Sequence, residues 1–231
     1  IGVDVRILSP DQVQTIWPLC RTDGLLGAIQ HPDDGYIQPA DLTQALAAGA
    51  RSLGAEVYRH NAVTALAELP GGGWSVTTDD GVIDCEHVVC ASGNFARKTG
   101  AMVGLDIPVI PVQHQYLVTE PHPDIMARKE KGLPEMGVLR ESDSSWYLRE
   151  ENGGLILGPY EHGAPCCYVD GADENSEYEL FEADLDRLEP HIEAAIARVP
   201  AFGEVGIKQM YNGAICYTPD GNRGVTDRPV I

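Results

Sequence analysis

The run Trp146–Glu161, WYLREENGGLILGPYE, leaves its backbone few choices. Glu151-Asn152-Gly153-Gly154 gathers the residue types that accept left-handed turn conformations, and strand-like sequence flanks it on both sides. The pattern predicts a hairpin: a strand over 145–150, a turn over 151–154 and a strand over 155–160. Strand alternation then puts Tyr147 and Arg149 on one face. Upstream, IPVIPVQHQYLVT reads as a strand after a proline-rich entry, with His114 and Tyr116 sharing a face. Downstream, KQMYNGAICYTPDG reads as a last strand and turn. Between them, ELFEADLDRLEPHIEAAIARVP predicts an amphipathic helix. Its apolar stripe is Phe181, Leu185, Leu188, Ile192, Ile196 and Val199; Pro190 is expected to kink or restart it, and its acidic face to be solvated.

The first part of the chain has a different rhythm. Ser9 and Pro10 in LSPDQVQTIW make a helix start. In QPADLTQALAAGARSLGAEVYRH, Asp41 is the expected cap, and Leu42, Ala45, Leu46, Gly49 and Leu53 form a stripe that Gly54 ends. AEVYRH then reads as a strand, which gives the helix-then-strand half of a crossover unit in a parallel sheet. From Ala62 to Ile83 and just beyond, the period changes to two, predicting a three-stranded antiparallel meander broken at Gly71-Gly72-Gly73 and Asp79-Asp80-Gly81. HVVCA follows as a buried strand, and Ala91-Ser92-Gly93 turns at its carboxyl end, where open α/β sheets place their ligands. The expected fold is therefore α+β or α/β. Residues 1–106 hold a partial nucleotide-type domain with some elements of the second domain, and residues 107–231 hold a predominantly antiparallel sheet with helices.

Composition narrows the function. The net charge is −19, from 35 acidic and 16 basic side chains, which disfavours nucleic acid and anionic membranes as partners. No apolar run approaches the roughly 20 residues that span a bilayer. No leader is visible, although Ile1 at the start and TDRPVI at the end suggest a fragment. The six cysteines form no CxxC pair and no zinc spacing, so no metal is expected. Cys166-Cys167 allows a redox pair, but a bridge between neighbours is strained. Six reduced and mostly buried thiols in a reducing, cytoplasmic compartment is the expectation.

Several strings narrow the reading further: DGYIQPADLTQALAAGARSLGA, IPVIPVQHQYLVT, WYLREENGGLILGPYE, LFEADLDRLEPHI and NGAICYTPDG. They resemble the dimethylglycine and sarcosine dehydrogenases, FAD-dependent enzymes with a D-amino-acid-oxidase-like fold, over nearly the whole chain. The resemblance implies an oxidoreductase that removes a hydride from an N-methylated glycine-type amine and passes it to flavin. It implies FAD contacts at Val63, at Ala91, Ser92 and Gly93, and at Phe95; Asn94 departs from the aromatic pair usual in the family. It also implies that this chain is a central segment. The G-x-G-x-x-G fingerprint is absent from its 231 residues, so the chain alone is expected to bind FAD weakly or not at all and to be inactive, unless a partner chain completes the flavin site. A non-catalytic subunit or binding module is the alternative.

Amine oxidation needs a site that orients the reacting carbon and favours the neutral amine. Aromatic rings suit an alkylated nitrogen, and a cation suits a carboxylate. Tyr147, His114, Tyr116, Tyr160 and Arg149 are the catalytic and substrate-binding candidates. For each tyrosine ordinary sheet packing stands beside that role, and for His114 a structural histidine does.

Overall fold

The computed structural model describes residues 2–173, 176 and 178–219. They form two compact units, each assembled from separate lengths of chain: 2–36, 114–164 and 180–213 make the first, and the described residues of 37–113, 165–179 and 214–219 the second. The sequence reading places a single boundary at 106/107; the packing instead passes between units at 36/37, 113/114, 164/165, 179/180 and 213/214.

The first unit holds the core. A small ladder of β1 (Arg6–Leu8) and β2 (Ala28–Gln30) brackets α1 (Pro10–Ile16). Ser9 caps α1 in a full capping box with Gln12, as Ser9-Pro10 predicts. The main sheet has five strands in the order β10-β6-β9-β8-β7. These are β6 (Ile110–Thr119), β7 (Leu139–Glu141), β8 (Trp146–Glu151), β9 (Gly154–Pro159) and β10 (Ile207–Tyr217). The hairpin forms as the sequence demands, tightened to a two-residue turn: Asn152 and Gly153 take φ of 51° and 84°, the left-handed pair that matches strand twist. Register follows, with Trp146 opposite Pro159, Leu148 opposite Leu157 and Glu151 opposite Gly154.

That register sorts the side chains. Trp146, Leu148, Leu155, Leu157 and Leu117 turn to one face and are fully buried. Helix α5 (Leu185–Arg198) contributes Leu188 and Ala195 to the same core, with Val199, Ala201 and Phe202 following it. Asp184 caps α5, and the helix runs unbroken through Pro190, so the expected restart does not occur. Phe181 lies outside the helix, before its cap. A short helix, α4 (Pro123–Glu130), is capped by buried His122, whose Nδ1 accepts from the Asp124 amide.

The second unit contains α2 (Pro39–Ser52), the meander β3 (Val63–Glu68), β4 (Trp74–Thr78) and β5 (Gly81–Cys85), and α3 (Ala96–Ala101). The meander is antiparallel throughout, as expected. Two expectations are corrected. Gln38, not Asp41, caps α2, because Pro39 supplies the first helical position and the Gln38 side chain accepts from the Ala40 amide. And 55–60 and 87–91 run without strand pairing. A strand exists only with a hydrogen-bonding neighbour, and no described segment pairs with either in a ladder; Val89 is 87% exposed. Among the described residues no helix is long and apolar enough to cross a membrane.

Candidate functional site

The candidate residues gather on the face of the main sheet opposite the core. On β6 the residues alternate, with Gln115, Leu117 and Thr119 buried and His114 and Tyr116 on the accessible side. On β8 Trp146, Leu148 and Glu150 are buried, while Tyr147, Arg149 and Glu151 face out. Tyr160, directly after β9, falls on the same side as Gly158. The five residues proposed from the sequence therefore lie on one face of one unit.

The aromatic rings touch in two pairs. Tyr116 stacks on Tyr211 of β10, with centroids 4.8 Å apart and planes 22° from parallel. Tyr147 meets Tyr160 at 6.0 Å with a 55° tilt. A glycine permits the second pair. A Cβ at Gly158 would stand 2.1 Å from Tyr147 Cζ, so the phenol ring lies across bare backbone there. Burial first, and then the neighbouring Tyr160, raises the Tyr147 phenol above its ordinary value, against the Arg149 and Arg140 charges. Tyr116 is raised by burial, then by Tyr211 and Tyr147. Both remain protonated through the neutral range and stand as hydroxyl donors.

The two arginines differ. Arg149 is engaged: its Nη1 reaches the Glu151 carboxylate at 2.5 Å, and its guanidinium lies 4.3 Å over the Tyr36 ring. Arg140, on β7 opposite Tyr147 in register, lies 5.8 Å over the Tyr147 ring and donates to the Tyr160 hydroxyl. No carboxylate of the described residues pairs with it. Arg140, Tyr211 and Gly158 are the positions that sequence reading missed. Only strand register, which single-sequence patterns do not give across a sheet, brings them to Tyr147, Tyr160 and Tyr116.

Beneath this face sits a buried ionic cluster. The Glu161 carboxylate, 3% exposed, takes Arg187 Nη2 at 2.6 Å and Nε at 2.8 Å, and the Gln115 amide at 3.0 Å. His114 Nδ1 lies 3.9 Å from the same carboxylate. Fully buried Gln115 ties β6 to the start of α5 by accepting from the Asp184 amide at 2.7 Å and donating to the Asp184 carbonyl at 3.2 Å.

The residues expected to meet the cofactor lie in the second unit. Val63 opens β3 and is 42% exposed. Ala91 and Gly93 are exposed, and Ser92 is half-buried, its hydroxyl 2.9 Å from Thr99 Oγ1. Gly93 takes a left-handed φ of 55° with nothing within 4 Å of a would-be Cβ. Half-buried Phe95 ends a 3-10 turn, its amide donating to the Ser92 carbonyl, before α3 begins at Ala96.

Solved structures share this arrangement. L-proline dehydrogenase from P. horikoshii superposes with a TM-score of 0.79 at 24% identity, over 99% of this chain and 57% of that one. Glycine oxidase from Geobacillus kaustophilus follows at 0.71, also at 24% identity, over 99% and 55%. These likenesses show the fold, which the chain shares with those two proteins. The profile described as "FAD dependent oxidoreductase" matches residues 1–231, and the chain belongs to that family. Its relatives include mitochondrial dimethylglycine dehydrogenase of Mus musculus, 41% identical over 93% of this chain. Mitochondrial sarcosine dehydrogenase of Mus musculus is 32% identical over 95%. The chain spans about a quarter of the length of these dehydrogenases, 25% and 23% respectively.

FAD is the cofactor of the family, and the residues present fit part of it. The bend at Gly93 is open, with nothing within 4 Å of a would-be Cβ, and Val63 is exposed at the start of β3. The G-x-G-x-x-G run that would bring backbone amides to a pyrophosphate does not occur in the 231 residues.

Proposed function

We propose that this chain carries the substrate face of an FAD-dependent dehydrogenase or oxidase for an N-methylated glycine-type amine such as dimethylglycine or sarcosine. The observation that carries the reading is the tyrosine face of Tyr116, Tyr147, Tyr160 and Tyr211 with Arg140, a cation that no carboxylate of the described residues pairs with, at its edge. The identity to dimethylglycine dehydrogenase supports it. Tyrosine rings accommodate the alkylated nitrogen, and Arg140 takes the carboxylate. Arg149, held by Glu151, aligns Tyr36 instead. His114 accepts the ammonium proton, so that the amine reacts neutral. When bound, FAD supplies the two-electron acceptor for a hydride leaving the N-methyl carbon. Val63, the Ala91–Gly93 bend and Phe95 contribute to holding it.

The chain by itself binds FAD weakly and is inactive, since its own residues supply only part of a cradle; stoichiometric flavin co-purifying with residues 1–231 would contradict this. A reducing setting, whether cytoplasm or the mitochondrion named for the mammalian relatives, suits the six free cysteines, of which only Cys20 and Cys167 are buried, against the expectation that most would be. The test is anaerobic bleaching of the flavin-loaded protein by dimethylglycine, sarcosine and glycine in turn. Bleaching by the methylated amines, with Arg140→Gln raising KM about tenfold (~1.4 kcal/mol), supports the reading. A protein that binds these amines without bleaching is the non-catalytic module instead.

A further inference from the structure

The Glu161 cluster lies outside the tyrosine face yet adjoins its one histidine. A carboxylate beside an imidazole ordinarily draws it into the charged form. Here the carboxylate is already spent on two guanidinium nitrogens and a backbone amide, and the imidazole is left 3.9 Å away, beyond hydrogen-bond reach. We propose that Arg187 is a positioning residue for His114: it holds Glu161 back, so that the imidazole stays neutral with Nε2 as its open nitrogen.

The proposal deepens the amine-oxidase reading and rests on it for the identity of the proton donor. The step balances simply. The substrate ammonium N–H bond breaks, an Nε2–H bond forms, and the products are a neutral amine and an imidazolium. Glu161, 3.9 Å from Nδ1, then faces that new positive charge.

Among the described residues, two charged groups act on His114. Glu161 follows β9, and Arg187 stands on α5, itself 4.0 Å from the Asp184 carboxylate at the helix cap. Burial lowers the His114 value most, Glu161 raises it and Arg187 lowers it again. Freed of Arg187, Glu161 acts on the imidazole against burial alone.

The test is an NMR titration of the His114 ring in the wild-type protein, Arg187→Gln and Glu161→Gln. The expected result is a midpoint that moves up in R187Q and down in E161Q. In the flavin-loaded protein, the acid limb of the kcat/KM profile moves with it, about tenfold in rate at low pH for each unit of displacement. A structural role for Arg187 alone would lower stability and leave both midpoints in place, and that result overturns the proposal. Should R187Q fail to fold, E161Q decides: a midpoint that stays or rises overturns it as well. Ring titration reads the cluster without turnover, so a moved midpoint in a protein that oxidises no amine would reject the amine reading and keep the cluster's effect on the ring.

Discussion

Helices α5 and α2 each contain 14 residues and carry an apolar stripe at helical spacing, yet they end in opposite environments. In α5, Leu188 and Ala195 are fully buried against the five-stranded sheet. In α2 no residue is buried; Leu46 is 65% and Leu53 90% exposed. The same contrast divides the two units: the first encloses the hydrophobic core, and the second leaves Val57, Val82, Val88 and Val89 largely open. A stripe states what a helix is able to bury; the burial itself requires a facing surface. The tyrosine face stands on the unit that has one, and rigid support is what a positioning site needs.

The largest expected effect tests that contrast. Leu188→Ala removes a fully buried side chain and should cost about 2–5 kcal/mol in chemical denaturation, whereas Leu46→Ala should change stability by less than about 0.5 kcal/mol. Equal losses would show that α2 is packed after all. A smaller effect sharpens the picture within the first unit. Gly158→Ala drives a methyl into the Tyr147 ring and should cost about 1–3 kcal/mol, with the Tyr147 ring resonances displaced. Combining it with Tyr147→Ala should cost less than the sum of the two single changes, because the clash is gone.

The smallest effect concerns pH. His114 titrates lower in the fold than in the unfolded chain, chiefly through burial. The unfolded state therefore binds more protons in the window between the two values, and stability should fall as pH drops below the unfolded value of about 6.5. Melting temperatures across that window should show the decline in the wild type and a flatter line in His114→Asn.

Much of this was legible because it is local. Asn152-Gly153 sets the hairpin, alternation sets the shared face of Tyr147 and Arg149, and Ser9-Pro10 starts α1. The strands expected at 55–60 and 87–91 were misread because a strand's existence depends on a neighbour that its own residues do not encode. Arg140 was illegible for a related reason. Its strand is three residues, Leu139–Glu141, too short to show a period, and its meaning comes from sitting opposite Tyr147. The Glu161–Arg187 pair joins residues 26 apart across a strand end and a helix, a pairing that no spacing rule announces. Arg149 was legible as a face-mate of Tyr147, whereas its pairing with Glu151, two residues on, was not.

The central claim is that the accessible face of β6, β8 and β9 is where the amine reacts. The direct measurement is the anaerobic rate at which dimethylglycine bleaches the flavin-loaded protein, compared between wild type and Tyr147→Phe at matched flavin content and unchanged flavin spectrum. The account predicts a rate at least about tenfold lower in the variant, as loss of a positioned hydroxyl donor entails. Equal rates would place the reacting amine elsewhere and contradict it.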